Sequence, residues 1–302
     1  ILSRLFPAGF YYKTFKWPPS LWLFYEHFIR KAAGLGESPT AKNPDRYEQR
    51  FHYCDVMIIG GGVSGLTAAL AAARAKCDVL LVDESSYFGG YLCDSDALIN
   101  RKNMNDWIRI VLDELKSYEK VKLLKRTSAM GYYDYNYVTA LEKVTNHHHK
   151  LSKTLPRERY WRIRASKIIL AQGAFERPLV FADNDRPGIM MASAGKKYLC
   201  RYGVLPGKSV VLFTNNDHAY LSAFEFANKG AKVTVIDSRN ETSDEVVNKC
   251  EELKIEIYLL HSIIGTFGQK KVNAIEIQKT DDRGNKLIGN SKKLDVDLVL
   301  MS

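Results

Sequence analysis

The chain has 302 residues, of which 46% are hydrophobic and 26% charged, a composition that is typical of a globular protein with one large or two modest domains. Its net charge is +10, but the lysines are spread along the chain, which argues against nucleic acid as a partner, and no apolar run is long enough to cross a bilayer. The five cysteines form no C-x-x-C pair, which argues against a zinc site or a dithiol motif and favours a reducing, cytoplasmic location.

Residues 1–50 are interpreted as an aromatic N-terminal arm. A helix is predicted from Ser20 to about Ala33, because the preceding prolines and the following glycines mark its ends. One face of this helix carries four large apolar side chains, which are Trp22, Tyr25, Phe28 and Ile29. We favour packing of this face on the main domain over binding to a membrane surface or a partner, since so many exposed rings would be unusual.

The next segment predicts one strand–helix–strand unit. The apolar run Asp55–Ile59 indicates a buried strand, and the turn Gly60–Gly65 follows it. The alanine-rich stretch from Leu66 to Lys76 predicts a helix, and Asp78–Val82 predicts a second buried strand that ends at Asp83. The size and order are those of a nucleotide-binding βαβ unit.

A second unit of the same plan is predicted farther along the chain. Before it we predict a helix, a short strand, two antiparallel stretches around a histidine loop and a buried strand, at Met104–Tyr118, Val121–Leu124, 129–145, 159–171 and Lys167–Ala171. In the second unit the predicted elements are Ser209–Phe213, Ala219–Lys229, Lys232–Asp237, 244–253 and Ile255–Leu260, and alternating strands follow. The prediction is an α/β protein of two Rossmann-like domains with the second inserted in the first, at 51–175 plus about 285–302 and at 176–284.

The turn Gly60–Gly65 predicts a pyrophosphate site. Gly60 permits a tight exit from the strand, Gly62 removes a side chain where phosphates approach, and Gly65 allows close packing of the helix on the strand. The helix N-terminus offers free N–H groups and partial positive charge. A carboxylate at Asp83, or at its neighbour Glu84, is placed to accept hydrogen bonds from ribose hydroxyls. The alternative is a nucleotide-binding fold without a ligand.

Three further segments carry open alternatives. The small-residue turn Ala171–Ala174 either lets backbone pass close to a cofactor or is an ordinary turn. The basic loop 176–188 either touches a phosphate or a partner, or it is a structural crossing between domains. The run His147–His149 is interpreted as a solvated loop rather than a metal site. In the second unit the turn Thr214–Ala219 has no glycine, so we expect that it keeps the fold and has lost the ordinary ligand mode.

These residues resemble the alpha subunit of bacterial heterotetrameric sarcosine oxidase. The resemblance covers nearly the whole chain and is most specific over the run Ala171–Gly188 and its continuation to Val204. The glycine-free turn after Phe213 is also like that family. Because the chain begins at Ile1 and ends at Ser302, just after a predicted strand, we expect a fragment that lacks the family's N-terminal small domain and its C-terminal folate-binding half.

The resemblance implies a glutathione-reductase-type fold with two dinucleotide-binding domains that holds NAD, with FAD as the alternative ligand. It implies FAD in a beta subunit, FMN at the alpha–beta interface, and further gamma and delta subunits. The implied reaction oxidises sarcosine to glycine, with hydrogen peroxide and with formaldehyde or methylene-tetrahydrofolate as the other products. The folate step is assigned to the missing C-terminal region, so this chain alone is expected to be inactive.

Carried over by position, the resemblance implies a set of cofactor contacts and no catalytic or metal-ligating residue in this chain. The expected contacts are Gly60, Gly61, Gly62, Ser64, Gly65, Asp83, Glu84, Ser85, Gly90, Tyr91, Ala129, Ala171 and Gly173. Gln172 stands where the family commonly has threonine. Two other functions stay open, which are a related opine or N-methylglutamate dehydrogenase and a scaffold protein whose NAD takes no part in the reaction.

Overall fold

The structure is a computed structural model that describes residues 18–34, 39–91, 98–99, 102–149, 154–284 and 286–302. The chain divides into two compact units, residues 1–46 and 47–302, so the second unit starts a few residues before the end of the predicted arm. The first unit contains a short 3₁₀ turn, Pro19–Leu21, and helix α1, Trp22–Ala32, as predicted. In the described part of the chain, no helix has the length and apolar character required to span a membrane.

The first half of the larger unit is built around a six-stranded sheet. Its strands and helices, with a separate hairpin of β3 and β4, are β1 Tyr47–Ile59, α2 Val63–Arg74, β2 Val79–Val82, β3 Leu98–Ile99, β4 Lys102–Asn103, α3 Met104–Ser117, β5 Val121–Leu124, β6 Thr127–Tyr133, β7 Tyr137–Lys143 and β8 Glu158–Leu170. The strand order is β5-β2-β1-β8-β7-β6. Strands β5, β2, β1 and β8 run parallel, whereas β8, β7 and β6 form the predicted antiparallel part.

Strand β1 is longer than predicted. It pairs with β8 in parallel from Tyr47 opposite Glu158 to Ile59 opposite Leu170. The two sequence segments predicted as an antiparallel strand and a separate buried strand are therefore one strand, β8. The sequence underestimates β1 because its first residues are mostly exposed and carry no continuous apolar run.

The prediction of a strand at Lys167–Ala171 is confirmed as far as Leu170, but the prediction that this strand is buried is wrong. Ile169 and Leu170 are 37% and 56% exposed. The register explains this, because β7 pairs with β8 only as far as Arg164. In the described part of the chain, the last residues of β8 pair with β1 on one side only. We call residues 165–170 the open β8 edge.

Two apolar layers enclose this sheet. On one face, Ile58 and Leu81 pack with helix residues such as Leu66 and Leu115. On the other face, Met57 packs with the antiparallel strands through residues that include Val138, Trp161 and Ile163. Adjacent β1 residues enter opposite layers because side chains alternate across a strand. The core therefore holds the C-terminal ends of β1 and β2 rigidly.

The second half is a second α/β layer structure. Its elements are β9 Ile189–Met191, α4 Ala192–Tyr202, β10 Ser209–Thr214, α5 Tyr220–Asn228, β11 Lys232–Asp237, α6 Asp244–Glu252, β12 Glu256–Leu259, β13 His261–Phe267, β14 Ala274–Thr280, β15 Leu287–Asp295 and β16 Leu298–Met301. A parallel sheet has the order β12-β11-β10-β16-β9, and β13-β14-β15 form an antiparallel sheet beside it. Helix α5 packs on the parallel sheet through buried Tyr220 and Phe226.

The predicted return of about 285–302 to the first domain is also wrong. Strand β15 pairs with β14, and β16 lies between β10 and β9. The link between β15 and β16 is too short to reach another sheet, and Asp297 in this link accepts hydrogen bonds from the backbone N–H groups of Lys208 and Ser209. All four β16 residues are buried, as expected for an internal parallel strand.

Candidate functional site

The glycine turn between β1 and α2 is the centre of the candidate site. A Cβ atom at Gly60 would lie 2.2 Å from the carbonyl oxygen of Ala171, and one at Gly65 would lie 1.8 Å from the carbonyl oxygen of Gly60. Gly60 also has a φ of +105°, which side chains disfavour. These two glycines are therefore required by the packing of backbone on backbone, as the sequence pattern predicts.

Gly62 has a different environment. A Cβ atom there would meet no atom within 4 Å, and its φ of −70° is accessible to any residue. Gly62 is the N-cap of α2 and supplies no side-chain hydrogen bond, and the first bond of the helix runs from the Leu66 N–H to the Gly62 carbonyl oxygen. The N–H groups before Leu66, including that of Ser64, have no intrahelical acceptor in this geometry. Open space, N–H donors and the positive helix end together suit a phosphate pair.

Asp83 lies at the end of β2 and reaches back to the turn. Its Oδ2 accepts a hydrogen bond from the Gly61 N–H at 2.6 Å, and its Oδ1 accepts one from the Ser85 N–H at 2.7 Å. The sequence predicted a carboxylate that accepts hydrogen bonds from ribose hydroxyls, and the structure adds that this carboxylate holds two backbone segments together. Each oxygen keeps lone-pair capacity for a further donor. The neighbouring Glu84 is exposed.

The loop from Glu84 to Gly90 is attached to the glycine turn. The Gly89 N–H donates to the Gly61 carbonyl oxygen at 2.7 Å, and Gly62 and Gly89 form an isolated bridge. A Cβ atom at Gly90 would lie 3.1 Å from the Cα atom of Gly62. Phe88, which was not predicted to be a site residue, is buried and occupies the space beside Gly61. The structure therefore brings Ser85 and Gly90 to the predicted site.

The remaining residues predicted to contact the cofactor lie outside the glycine turn. Ala171 donates its N–H to the Ile59 carbonyl oxygen at 2.8 Å and lies beside Gly60. Gly173 has a φ of +73° and open space around it. Ala129 is exposed on β6, two residues after Thr127, whose N–H bonds to the Asp83 carbonyl oxygen. Tyr91 is 52% exposed at the end of a described segment.

In the second βαβ unit, formed by β10, α5 and β11, the acidic residue at the end of the second strand is bonded to side chains of the protein itself. In the first βαβ unit the residue at this position is the one proposed to contact the ligand. Asp237 at the end of β11 is fully buried and accepts hydrogen bonds from the Tyr220 hydroxyl and from the Arg239 guanidinium. Arg239 also bonds to Asp217 at 2.7 Å, and the Thr242 hydroxyl donates to the same carboxylate. The chain thus fills this position with its own cation, in keeping with the expected loss of the ordinary ligand mode.

The pKa shifts of Asp217 and Tyr220 support this description of the second βαβ unit. Hydrogen bonds from Thr242 and then Arg239 lower the pKa of Asp217. Burial, with Asp237 nearby, raises the pKa of the Tyr220 hydroxyl, so it stays a donor. Asp217 stands out in the sequence, whereas the roles of Tyr220 and Arg239 are seen only in the structure. The usable signal was an acidic residue at the end of the second strand with an arginine two positions later.

The basic loop and the histidine run have structural partners. Glu176 accepts a hydrogen bond from the Ser193 N–H at the start of α4, and Arg186 bonds to Asp183, Thr266 and the Gly268 carbonyl oxygen. These contacts favour the structural alternative for the loop. His147 and His148 stack edge to face at 4.4 Å. No group of three or more His, Cys, Asp or Glu side chains suited to a metal ion occurs among the described residues.

Residues 54–302 match the family described as pyridine nucleotide-disulphide oxidoreductase. The chain belongs to that family. Membership agrees with the predicted fold class of two Rossmann-like domains and with a dinucleotide as the type of cofactor. The family is one of oxidoreductases, and the glycine turn with its uncapped helix lies inside the matched segment.

Sequence relatives confirm the resemblance to sarcosine oxidase subunit alpha. The chain is 46% identical over 279 residues to that subunit from Rhizobium meliloti, which covers 92% of this chain and 28% of the relative. It is 42% identical to the subunit from Corynebacterium sp. strain P-1, over 70% of this chain and 22% of the relative. An opine oxidase subunit of Rhizobium meliloti is 28% identical over 63% of this chain and 36% of the relative. The chain therefore spans only about a fifth to a third of the length of these proteins.

Solved structures agree with the fold. The thioredoxin reductase of T. acidophilum superposes with a TM-score of 0.61 at 16% identity, covering 82% of this chain and 76% of that one. The L-proline dehydrogenase of P. horikoshii gives a TM-score of 0.55 at 20% identity, covering 88% of this chain and 44% of that one. At these identities the likeness shows the fold alone.

Proposed function

We propose that this chain is the NAD-holding part of the alpha subunit of a multi-subunit sarcosine oxidase. The observation that carries the proposal is the open space at Gly62, in front of a helix N-terminus that receives no side-chain hydrogen bond from its N-cap residue. The 46% identity to sarcosine oxidase subunit alpha supports the choice of complex. FAD in place of NAD is the alternative ligand, because both carry the same adenine and pyrophosphate groups.

In this proposal the chain binds and orients the dinucleotide. The α2 N-terminus, including Gly62 and Ser64, takes the pyrophosphate, and Asp83 and Glu84 face the adenosine ribose. A nicotinamide ring supplies hydride chemistry when it is redox-active. No side chain of this chain is assigned a role in bond breaking, and the complex oxidises sarcosine to glycine.

The remaining parts of the proposal concern the partner subunits. FAD belongs to a beta subunit, FMN lies at the alpha–beta interface, and gamma and delta subunits complete the assembly. Electrons leave as hydrogen peroxide, and the one-carbon unit leaves as formaldehyde or enters tetrahydrofolate, a step that the proposal assigns to a C-terminal region of the alpha subunit beyond residue 302. The protein alone is then inactive toward sarcosine.

A pair of glycine substitutions tests the site. Gly62→Val places a side chain in open space, so we expect the apo protein to keep its unfolding free energy and the bound dinucleotide to be lost. Gly65→Ala is the matched contrast, because its Cβ would strike the Gly60 carbonyl oxygen, and we expect a loss of about 1–3 kcal/mol of unfolding free energy. Mass spectrometry of the cofactor released on denaturation and urea titration are the two measurements. Full retention of dinucleotide in Gly62→Val would refute the pyrophosphate site.

The identity of the released cofactor separates the ligands. NAD is expected by mass, whereas absorbance near about 450 nm in the released fraction would indicate a flavin and favour FAD in this chain. Adding sarcosine to the whole complex then tests the role of NAD. If nicotinamide absorbance never changes while sarcosine is oxidised, NAD is a structural ligand and the chain is a scaffold.

A second candidate function is the corresponding part of an opine-oxidising enzyme. The observation that favours it is the 28% identity to the opine oxidase subunit, which covers a larger share of the relative than the sarcosine oxidase matches do. Turnover of the whole complex with opines and N-methylglutamate, compared with sarcosine, distinguishes the two.

A further inference from the structure

We propose that the outer face of α4 is a docking surface for an acidic surface of a partner protein chain. We define the α4 face as Tyr87, Lys197, Tyr198, Arg201, Tyr202 and Val204. The inference rests on the proposed function, since it assumes that the chain is one subunit of a complex. It identifies where a neighbour sits, which neither the fold family nor the site at Gly62 specifies.

Two hollows define the shape of the α4 face. One has a volume of about 550 Å³ and is lined by residues that include Tyr87, Asn105 and Arg201. The other, of about 530 Å³, is lined by Ala194, Lys197, Tyr198, Tyr202 and Val204. Tyr202 lines both hollows and therefore lies between them. Two open hollows that share a tyrosine suit the side chains of a protein surface better than they suit a small molecule, which binds in an enclosed pocket.

The three tyrosines of the α4 face have different surroundings, because Tyr87 is partly buried and contacts two cations, whereas Tyr198 and Tyr202 are exposed and contact each other. The Arg201 guanidinium lies 3.4 Å from the centre of the Tyr87 ring, and the Lys197 ammonium lies 5.8 Å from it. The Tyr198 and Tyr202 rings are 48% and 60% exposed, with centres 6.2 Å apart. Tyrosine and arginine are the residues enriched at binding hot spots. Rings that are already ordered lose little conformational entropy when a partner binds.

The charge of the α4 face determines the chemistry of the partner. Among the described residues, no carboxylate lines either hollow, whereas Lys197 and Arg201 supply two cations. The whole chain carries a net charge of +10, which strengthens attraction to an acidic surface at long range. A partner with carboxylates around apolar side chains is therefore complementary to this face.

The α4 face also adjoins the candidate dinucleotide site. Tyr87 precedes Phe88, which is buried beside Gly61 and lines the first hollow. The same loop bonds to the glycine turn through Gly89. A partner on the α4 face would therefore contact the outer side of the loop whose inner side faces the proposed cofactor.

Charge reversal with a matched control tests the proposal. The probes are the purified partner subunits of the Rhizobium meliloti sarcosine oxidase, whose alpha subunit is 46% identical to this chain over 279 residues. We expect Lys197→Glu with Arg201→Glu to weaken binding by about thirtyfold, the range of a hot spot, and Tyr202→Ser by about tenfold. Lys229→Glu with Lys232→Glu reverses two exposed charges outside both hollows and should leave the dissociation constant within about twofold.

Salt dependence and cofactor retention separate the possible failures. Wild-type affinity should fall as ionic strength rises, and the reversed variant should lose most of that dependence. Unchanged affinity in both α4-face variants overturns the docking surface but leaves the cofactor site standing. Absence of binding by the wild type overturns the assignment to this complex and the docking surface together. Binding without any released dinucleotide overturns the cofactor part of the proposed function alone.

Discussion

Individual glycines in one turn have different physical roles. Gly60 and Gly65 are crowded by backbone, and Gly61 is crowded by Phe88 and Asp83, whereas Gly62 faces open space. A side chain at a crowded position forces the backbone apart, while one at Gly62 only reaches into the proposed ligand volume. The glycine that is least needed for the fold is therefore the best reporter of binding.

Asp83→Asn should destabilise the protein even without a ligand. The two carboxylate oxygens accept hydrogen bonds from the backbone N–H groups of Gly61 and Ser85. In asparagine one of these oxygens is replaced by an NH₂ group, which cannot accept a hydrogen bond. We expect a loss of about 1–3 kcal/mol in unfolding free energy, measured by urea titration of the apo protein. Glu84→Gln, at the exposed neighbour, is the control and should change stability little. If Asp83→Asn and the wild type have equal unfolding free energies, these two hydrogen bonds do not stabilise the fold.

Dinucleotide affinity is a separate readout for the same two variants. If Asp83 also faces the ribose, Asp83→Asn should weaken binding by about 1–3 kcal/mol, the range for a charge-assisted hydrogen bond. If Glu84 is the ribose ligand instead, the larger loss of affinity should appear in Glu84→Gln. Isothermal titration with NAD compares them.

Asp217 should make stability depend on acid pH. Hydrogen bonds from Thr242 and Arg239 lower its pKa in the folded state, so folding favours the charged form. Its contribution is therefore complete above the unfolded-state pKa, about 3.9, and disappears as pH falls through the lower folded value. Urea unfolding at about pH 6 and about pH 2 should show the gap between wild type and Asp217→Asn closing at the lower pH. Asp282→Asn, which removes an exposed carboxylate in a turn, is the matched control for the loss of one charge.

At the scale of elements, the open β8 edge is the main departure from the predicted sheet. Ala171 donates its N–H to Ile59 on β1, and amides alternate in direction along a strand, so the N–H groups of Ile168 and Leu170 point away from β1. Strand β7 ends its pairing at Arg164 and does not reach them. Apolar residues in a parallel strand are normally covered on both faces, and here Ile169 and Leu170 are not.

Hydrogen exchange should reveal this edge. We expect the amides of Ile168 and Leu170 to exchange far faster than those of Ile58 and Leu81, which lie in buried neighbouring strands of the same sheet. Mass spectrometry with fragmentation, or nuclear magnetic resonance, measures both sets in one experiment. Slow exchange at Ile168 and Leu170 would show that another part of the protein or a second copy covers the edge.

At the scale of the whole molecule, the larger unit contains separate apolar cores in its two halves. The first half is held by the layers on either face of its six-stranded sheet, and the second by the layers around β10, β11 and β16. The crossing 171–188 has no helix or strand. Halves with their own cores can unfold separately.

Calorimetry should therefore resolve two unfolding transitions, and a dinucleotide should raise the melting temperature of only one of them. A ligand at one hundred times its dissociation constant adds about 2.7 kcal/mol to the half that binds it. We expect NAD to raise the melting temperature of the first half, which contains the glycine turn, and to leave that of the second half unchanged. Gly62→Val should abolish the shift while keeping both transitions. An equal shift of both transitions would indicate one cooperative unit.

The sequence alone determined the βαβ units, the glycine turn with its acidic partner and the absence of a second glycine turn, because these depend on local periodicity and on residue types at short spacing. It also carried the family resemblance. Only the tertiary structure decided which strands pair. Strand β16 joins the second sheet and β1 extends to Tyr47, since these choices depend on link length and register between distant segments. Likewise, whether Asp83 is free or bonded, and whether Arg239 fills the second site, depends on atoms brought together from separate strands and loops.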